Sequence, residues 1–433
     1  MLKRLFQGDS GNVFKGMLTL LLGSGLARIV GLISIPILAR IYSPEDYGVL
    51  ALYTASIAVL APVLTLRYVQ AIPLPKTDEM AFNLFSLCFK LIAFFSVVIA
   101  VVLVLFGEAI LGWLNMEALI PWRWLIVLGA AGTALYELFS LWATRKKKYK
   151  TIAKTQFAQS LIGNITKIAL GLLEFKPSGM IVGQFLSQSA GVSSFIKDAR
   201  VEFKFFLSKV KGRKEGFIAK YYQSFVWFRL PSQFLMVLAL QAPILMAARL
   251  YDGNVTGQLS FAIMALSLPV SLIGMTMSQA YYAEVARIGR HDPKVIKKIT
   301  LDIQKKLFLI AVPVSLFVYL FSEWVFVLVF GEVWRIAGQY ASALSPFLLL
   351  KFTSSPLDQV FNVVGTQSIY LLINVSRVIG FLVVYFACLQ FSVDASEFVF
   401  VLSWFMAGHY LFVTLLVVLV IDLAVKSKCP VKG

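Results

Sequence analysis

The sequence is poor in charged residues. Lys, Arg, Asp and Glu make up 14% of its 433 residues, whereas about a quarter is typical of soluble domains. Hydrophobic residues account for 59%, and the mean hydropathy is +0.81. Between the apolar runs, no polar segment is long enough to form a sizeable aqueous domain. These features exclude a soluble globular protein and indicate an integral membrane protein.

Cysteines and catalytic motifs are also scarce. The three cysteines, Cys88, Cys388 and Cys429, are scattered, and the first two fall inside apolar runs. This spacing excludes a disulfide framework and a CxxC site, so we interpret them as packing residues. The sequence contains no GxxxxGK(S/T), HExxH or GxSxG motif, the patterns of ATP hydrolysis and of familiar hydrolases. We therefore expect a protein that is not an enzyme and that uses no cofactor or metal.

Apolar runs of about 20 residues, the length that crosses a bilayer, occur along the whole chain. The first run is too long for a signal-peptide core, so we expect no cleavable signal peptide and a first span that is retained. Bounded by charged residues, Gly and Pro, the runs predict about twelve spans. In the first half they are 17–39, 47–70, 83–106, 121–143, 152–173 and 178–196. In the second half they are 223–248, 256–281, 306–321, 338–362, 369–390 and 397–421.

Lysine and arginine are concentrated in alternate connections between these spans. Since cytoplasmic loops retain positive charge, both termini are expected in the cytoplasm. This topology accounts for the net charge of +18, and no RNA-binding or zinc motif accompanies it, so we expect no nucleic-acid partner. The amphipathic basic stretches 197–220 and 284–306 are expected to lie against anionic lipid headgroups. The basic connections are 3–15, 145–150, 197–220, 287–306 and 426–432.

Short segments of the first half recur in the second half in the same order. LARIYSPEDYG (38–48) is similar to MAARLYDGNVTG (246–257), and LFGEAIL (105–111) is similar to LFSEWVF (320–326). A weaker match sets Glu137 opposite Asp358. These matches predict two repeats of six spans each. Because six is even, both repeats enter the membrane in the same direction, so an axis along the membrane normal should relate them. We therefore predict an N-lobe at 1–196, a basic cytoplasmic linker at 197–222 and a C-lobe at 223–433.

Several basic residues fall inside the predicted spans. Arg28 lies about 11 residues into the first span, roughly 17 Å deep and near the midplane. A charge there costs at least about 2.5–3.5 kcal/mol, so it should face a wet cavity or a partner. Bases outnumber acids within the spans, which predicts an anion in a cationic cavity. The candidate binding residues are Arg28, Arg229, Lys351, Arg377, Lys90 and Lys167.

For some of these charges, mutual neutralisation is an equal alternative, namely for Lys90, Arg67 and Glu137. In the tenth span, Pro356 breaks the helix, and Lys351 and Asp358 are seven residues apart, which is close to two helical turns. Both are expected to face the cavity. Asp358 and Glu137 are candidates for coupling to a proton or sodium gradient. His409 could carry protons, but a lone histidine among aromatic and small residues is more often a packing residue.

The first loop carries the most specific motif. In it, Ser43 is the expected N-cap, Pro44 lies in the first turn, and Glu45 and Asp46 lie near the positive helix end. The stretch GLARIVGLISIPILARIYSPEDYGVLALY (25–53), followed by about twelve spans in two halves, resembles the Wzx-type polysaccharide flippases. These belong to the multidrug/oligosaccharidyl-lipid/polysaccharide (MOP) exporter superfamily.

This resemblance implies an all-α membrane fold in which two six-helix lobes form a V around a central cationic cavity. It implies a polyprenyl-pyrophosphate-linked oligosaccharide of the O-antigen, lipopolysaccharide or capsule type, flipped to the periplasmic leaflet of the bacterial inner membrane. A polysaccharide polymerase is a partner consistent with that role. Among the cationic positions, the motif fixes Arg28 alone.

Two other functions stay open at this point. A multidrug or small-cation exporter of the same superfamily would need acids at the centre of its cavity, and the surplus of bases weighs against it. A membrane polysaccharide polymerase or ligase would carry a large periplasmic catalytic loop, and none of the expected outer connections is long.

Overall fold

The computed structural model describes residues 8–207, 210, 212–289, 292–363 and 367–428. Regular structure in these ranges is helical, with no strand. A helix is stable in hydrocarbon, because its backbone N–H and C=O groups form hydrogen bonds within one segment and none is left unsatisfied in the lipid. The chain divides into two compact units, Met1–Val237 and Leu238–Gly433. The division falls inside a helix of the seventh predicted span, and the expected lobe boundaries at 196 and 223 remain predictions.

The first unit contains eight α-helices within the described ranges, and a ninth crosses the division. Helix α1 packs against α5, α5 packs against α6, and α4 packs against α2, α3 and α6. Short 3₁₀ turns lie at Tyr68–Ala71 and Glu117–Trp122, and a π turn lies at Phe225–Arg229. The helices are α1 (Gly8–Ile41), α2 (Pro44–Leu64), α3 (Asp78–Trp113), α4 (Arg123–Arg145), α5 (Tyr149–Leu172), α6 (Ser178–Ser189), α7 (Val192–Leu207), α8 (Gly212–Tyr221) and α9 (Leu230–Leu250).

The second unit is organised around α11. This helix packs against α12, α13 and α15, and α15 also packs against α13 and α14. A buried cluster that includes Tyr281, Leu357 and Val417 joins α10, the 3₁₀ turn Leu357–Asn362 and α15. Its helices are α10 (Gly253–Ile288), α11 (Pro293–Phe330), α12 (Arg335–Ala343), α13 (Ser345–Ser354), α14 (Gln367–Phe391) and α15 (Ala395–Lys428), with 3₁₀ turns at Glu332–Trp334 and Leu357–Asn362.

The helices fit the predicted membrane spans. Seven helical segments in the described residues are long and apolar enough to cross a membrane. The most apolar stretch of α2 is 56% buried within the protein and that of α3 only 6%, so α2 is internal and α3 presents its apolar side chains outward. Phe94 and Leu105 of α3 are largely exposed, as expected of side chains that contact lipid. The chain is therefore a multi-pass membrane protein.

Three predicted spans are interrupted. The sixth is split between α6 and α7 around Gly191, whose φ of 94° is in the region that favours glycine. The second ends in Leu66 and Arg67, both with positive φ. The tenth consists of α12, α13 and a 3₁₀ turn that follows Pro356. Irregular backbone at membrane depth is tolerated where it is buried in protein or lines a wet cavity, so protein or water is expected around each of these breaks.

The stretch expected as a linker is structured and packs within the first unit. It holds the end of α7 and the whole of α8, and α8 packs against α3. Lys214 of α8 pairs with Glu79 at the start of α3, and the hydroxyl of Tyr68 donates to the carbonyl of Ala219 at 3.0 Å.

The internal repeat is visible in equivalent contacts within each unit. The Tyr42 hydroxyl donates to the Lys167 carbonyl in the fifth span. Its counterpart, Tyr251, donates to the Val393 carbonyl just after the eleventh span, and both distances are 2.7 Å. The repeated glutamates also have matching partners. Glu108 lies 3.9 Å from Arg123, and Glu323 lies 2.6 Å from Arg335.

The helix start after the first span follows the predicted motif. The Ser43 hydroxyl accepts from the Asp46 N–H at 3.3 Å, and the Asp46 carboxylate accepts from the Ser43 N–H at 3.0 Å. This capping box, worth about 1 kcal/mol, confirms the assignment of Ser43 as N-cap. In the second repeat, Asp252 caps α10 by accepting from the Val255 N–H at 2.8 Å.

Candidate functional site

Two of the predicted binding residues line one cavity in the second unit. Helix α13 contributes Lys351, and α14 contributes Arg377. The cavity has a volume of about 90 Å³, enough for a few waters or one small oxyanion. Its other walls are Ala239, Leu240, Pro243, Ile263, Phe347, Phe405, Met406, His409 and Tyr410.

Each of these two cations lies near an aromatic ring. The Lys351 Nζ atom is 5.1 Å from the centre of the Phe347 ring, one turn earlier on α13. The Arg377 Cζ atom is 5.3 Å from the centre of the Tyr410 ring on α15. A ring attracts a cation through its quadrupole without neutralising its charge. None of the described residues that line the cavity is acidic, and Asp358, in the 3₁₀ turn Leu357–Asn362, interacts electrostatically with Arg377 from outside the wall.

Two nitrogens in this cavity wall are buried without a hydrogen-bond partner. They are Arg377 Nε and His409 Nε2, and both belong to described residues. An unsatisfied buried polar group costs about 1–3 kcal/mol, and such groups are uncommon in native proteins. A bound anion would supply acceptors for an Arg N–H and for a protonated imidazole. The cavity therefore presents two cations and two unsatisfied nitrogens, with no acidic side chain among its described walls.

Asp358 has a different setting from the one expected. Helix α13 ends at Ser354, and Asp358 lies in the 3₁₀ turn Leu357–Asn362. Since the α-helix does not continue to Asp358, seven residues do not correspond to two turns, and the shared helical face expected with Lys351 was wrong. Asp358 is not among the lining residues of the cavity, and its carboxylate accepts from the Gln359 amide at 3.2 Å.

Glu137, the other coupling candidate, lies in a polar cluster of the first unit. Its carboxylate accepts from Arg67 at 3.2 Å and from the Gln70 amide at 2.7 Å. Arg67 also donates to the Gln233 side chain at 3.5 Å. The Arg67 and Glu137 side chains are 13% and 28% exposed. The backbone break after α2 thus brings the guanidinium of Arg67 to Glu137, in line with the alternative of mutual neutralisation.

Lys90 and Lys167 each have a local partner in the first unit. The Lys90 Nζ atom lies 2.7 and 2.9 Å from the two carboxylate oxygens of Glu215, a buried residue of α8. The Lys167 Nζ atom donates to the Gln184 side chain at 2.7 Å, between α5 and α6. The Glu215 carboxylate offsets the charge of Lys90, whereas Gln184 leaves that of Lys167 uncompensated.

Arg28 and Arg229 lie on elements other than those of the cavity. Arg28 is an exposed residue of α1. Arg229 is an exposed residue of the π turn, with its Cζ atom 5.9 Å from the centre of the Phe225 ring. Of the six predicted binding residues, the structure therefore brings Lys351 and Arg377 into one lined cavity.

Sequence reasoning missed several residues around these charges. Phe347 is four residues before Lys351, and this helical spacing was a usable signal. Tyr410 and Glu215 carried no comparable signal, because each reaches its cation from a different helix. The sequence pattern around His409 indicates a packing residue, and it does not show that His409 lines the same cavity as Lys351 and Arg377.

The sequence matches one protein family over most of its length. Residues 37–338, more than half of the chain, match the model of a family described as polysaccharide biosynthesis protein. Arg28, Lys351, Asp358 and Arg377 lie outside the matched range, so the match carries no information on them. No curated protein sequence matches the chain significantly.

Solved structures of the MOP superfamily are similar in fold. An inward-facing multidrug resistance MATE family transporter of that superfamily has a TM-score of 0.67 at 15% identity, covering 94% of this chain and 96% of its own. Lipid II flippase MurJ, in an inward closed conformation, has a TM-score of 0.67 at 14% identity, covering 94% and 87%. A MOP superfamily transporter from Pyrococcus furiosus, described as having a binding pocket of reverse polarity, has a TM-score of 0.60 at 14% identity, covering 98% of both chains.

At such identities the similarity establishes the fold alone. The all-α fold with about twelve spans, expected from the sequence, is confirmed. The solved structures that share this fold are described as transporters and a flippase.

Proposed function

The chain belongs to the polysaccharide biosynthesis protein family, and from this membership we propose that it flips a polyprenyl-pyrophosphate-linked oligosaccharide across the membrane. The proposed direction is from the cytoplasmic to the periplasmic leaflet of a bacterial inner membrane, by alternating access, with both termini in the cytoplasm. The proposed cargo is a repeat unit of the O-antigen, lipopolysaccharide or capsule type. The observation that carries the proposal is the convergence of Lys351 and Arg377 on one cavity without an acidic wall residue.

The pyrophosphate is the part of this substrate that the cavity suits. Its oxygens accept several charge-assisted hydrogen bonds, which are stronger than neutral ones. Arg377 supplies a planar fork of donors, and Lys351 supplies a point charge that can reorient. Away from bulk water, these charges interact with the anion more strongly than they would in solution. We propose that Arg28 and Arg229 bind the same headgroup at other stages of its passage.

Lys167 and Lys90 are weaker candidates for the same role. The Lys167 side chain donates to a neutral amide, which does not offset a positive charge, so we propose it as a contact for the glycan or headgroup. Lys90 is already paired with Glu215, and a role in binding would require that pair to open.

We further propose that an ion gradient drives the cycle, since the sequence contains no nucleotide-binding motif. Asp358 and Glu137 are the candidate coupling residues, and at Glu137 an ion would have to compete with the ion pair to Arg67. Asp358→Asn is expected to uncouple flipping from an imposed proton or sodium gradient while leaving downhill flipping intact. A reconstituted assay with each gradient imposed in turn measures this. If the variant responds to both gradients as the wild type does, Asp358 is not the coupling residue.

Two alternatives account less well for the cavity. An exporter of cationic drugs would need acidic groups to bind its cargo, and none of the described wall residues is acidic. A polymerase or ligase for the same polysaccharide would need a catalytic constellation. The cavity instead offers two cations, a histidine, a tyrosine and apolar side chains.

Depletion of the protein in its own cell tests the proposed function. Mass spectrometry of the extracted lipids should reveal accumulation of a polyprenyl-pyrophosphate oligosaccharide. Re-expression of the wild type should clear it, and so should the surface control Lys298→Ala, whereas the Lys351→Ala/Arg377→Ala double variant should not. An unchanged profile of lipid-linked saccharides after depletion would contradict the proposal.

A further inference from the structure

We propose that His409 is a third, proton-dependent donor of the Lys351–Arg377 cavity, so that binding of a phosphoryl group there is accompanied by uptake of one proton. The inference rests on the proposed function, which gives the cavity an anionic ligand. It assigns a binding role to a histidine that the sequence pattern indicated as a packing residue.

The position of His409 supports this role. The residue is 8% exposed and lines the cavity with Lys351 and Arg377. Its Nε2 atom is buried and has no hydrogen-bond partner among the described residues. Its ring lies 6.1–6.3 Å, centre to centre, from those of Phe405, Tyr410 and Phe412. A histidine that served packing alone would gain nothing from an unsatisfied nitrogen at a cavity wall.

The charged and titratable groups that face His409 come from a small set of elements. Helix α13 contributes Lys351, α14 contributes Arg377, and α15 itself contributes Tyr410. The wall residues from α9 and α10 are apolar, namely Ala239, Leu240, Pro243 and Ile263. Asp358, in the 3₁₀ turn that packs against α15, interacts electrostatically with Arg377 and Tyr410 but is not a wall residue. None of the described wall residues is acidic, so a bound anion would bring negative charge directly to His409.

These neighbours make protonation of His409 depend on what the cavity holds. In the empty cavity, a third positive charge beside two cations is unfavourable. A phosphoryl group brings negative charge and oxygen acceptors. In the neutral ring with its proton on Nδ1, Nε2 is an acceptor and cannot donate to these oxygens, whereas in the imidazolium Nε2 carries a proton and donates to them. Proton and phosphoryl group therefore favour each other, and by linkage each raises the affinity for the other by the same factor.

This linkage raises the affinity of the cavity for the anion, but it does not drive the anion outward across the membrane. The proton and the anion bind together, so a gradient that brings protons into the cell does not expel the anion through His409. The driving step remains with a separate group, as proposed for Asp358. The volume of about 90 Å³ fits one phosphoryl group in contact with three donors, and the remainder of a larger headgroup would lie outside.

Histidine NMR provides a direct test, because the chain has only two histidines, His291 and His409. Protein labelled with ¹³C-histidine in lipid nanodiscs gives two ring signals, which His409→Asn and His291→Asn assign. Saturating inorganic pyrophosphate at fixed neutral pH should move the His409 signal towards the imidazolium position and leave the His291 signal unchanged. In Lys351→Met/Arg377→Leu the same addition should have no effect. A His409 signal that does not respond in the wild type would overturn the inference.

Binding measurements separate this inference from the proposed function. Pyrophosphate affinity is measured at pH 6 and pH 8 for the wild type, His409→Asn and the matched control His291→Asn. The titration of pyrophosphate itself is common to all three, so the readout is the difference between proteins. The ratio of the pyrophosphate affinity at pH 6 to that at pH 8 should be about fivefold larger for the wild type and His291→Asn than for His409→Asn.

Each outcome has a definite meaning. Equal ratios in all three proteins, with binding retained, would overturn the role of His409 and leave the proposed function standing. Absence of pyrophosphate binding in the wild type would overturn both. A second arm replaces inorganic pyrophosphate with polyprenyl pyrophosphate in the nanodisc. The same dependence on His409 there would extend the inference to the lipid headgroup, and its loss would confine it to the free anion.

Discussion

Aromatic rings allow Lys351 and Arg377 to lie on the walls of one small cavity. Phe347 and Tyr410 stabilise the two cations by about 0.5–2 kcal/mol each and leave their net charge unchanged. A carboxylate in either position would also stabilise the cation, but it would cancel the charge that an anionic ligand needs. At this scale, an aromatic neighbour leaves the positive charge of the proposed anion site in place, whereas Glu137 offsets that of Arg67.

The sequence predicted part of this arrangement. Depth within an apolar run identified Lys351 and Arg377 as costly charges that need a partner, since the length of a span and the rise of a helix are known in advance. It did not predict that Lys90 pairs with Glu215 or that His409 reaches the same cavity as Arg377. Those contacts join different helices, and hydropathy does not determine how helices are rotated against each other.

Arg28 is the residue for which charge and geometry can be separated. Arg28→Ala is expected to reduce glycan export by more than about tenfold, and Arg28→Lys should retain part of it, because a lysine keeps the charge but loses bidentate hydrogen bonding. Export by cells that express each variant at wild-type level measures this. Arg40→Ala, at the end of the same helix, is the matched control and should export normally. Full export by a well-expressed Arg28→Ala protein would contradict the role.

At the scale of whole helices, the sequence predicted positions better than lengths. The fourth span, expected at 121–143, is α4 at Arg123–Arg145, whereas the ninth, expected at 306–321, is part of the much longer α11 at Pro293–Phe330. Hydropathy reports contact with lipid, and a helix can continue past the hydrocarbon as long as its backbone bonds are satisfied.

The breaks within spans were predicted only where proline marked them. Pro356 predicted the interruption after α13 through its missing N–H. Leu66 and Arg67 adopt positive φ without a glycine, so no local signal predicted the break that brings Arg67 to Glu137. The break places Arg67 within hydrogen-bond distance of Glu137 and Gln233, which lie on other helices.

Close packing of α14 on α15 gives a test at the level of helix pairs. A methyl group added at Gly380 of α14 would overlap the ring of Phe405, which lines the cavity and packs on Phe381 at 5.1 Å between ring centres. Gly380→Ala should therefore destabilise the protein by about 1–3 kcal/mol and weaken pyrophosphate binding. Gly408→Ala on α15 is the control, since an added methyl there meets no atom within 4 Å. Equal melting temperatures of the two variants in detergent would show that the contact is not tight.

For the molecule as a whole, the repeat explains why equivalent contacts occur within each of the two units. The tyrosine after the first helix of each repeat donates to the backbone of the fifth helix or of the residues just after it. The third helix of each repeat pairs its glutamate with an arginine at the start of the fourth. The weak sequence matches were sufficient to predict this, because they kept the same order in both halves. The cavity with Lys351 and Arg377 was not visible in the repeat pattern, since it depends on the packing of the second unit.

Topology provides a prediction for the whole chain. Single cysteines introduced at 145–150, 197–220 and 284–306 should be shielded from impermeant reagents applied from the periplasmic side, and those near 43–46, 253 and 335 should react. The expectation follows from the alternation of basic loops. Background labelling should be low for Cys88 and Cys388, which are buried, and the variant with no introduced cysteine is the control. Reversed labelling at any one position would break the twelve-span arrangement.

The most direct measurement of the central claim is flipping in a reconstituted bilayer. Proteoliposomes carry a fluorescent polyprenyl-pyrophosphate oligosaccharide, and an impermeant quencher reports how fast the label exchanges between leaflets. The account predicts rapid exchange with the wild type and with Lys298→Ala, and exchange slowed by more than about tenfold in Lys351→Ala/Arg377→Ala, because the headgroup then loses two of its charge-assisted contacts. Exchange by the wild type at the rate of protein-free liposomes, or by the double variant at the rate of the wild type, would contradict it.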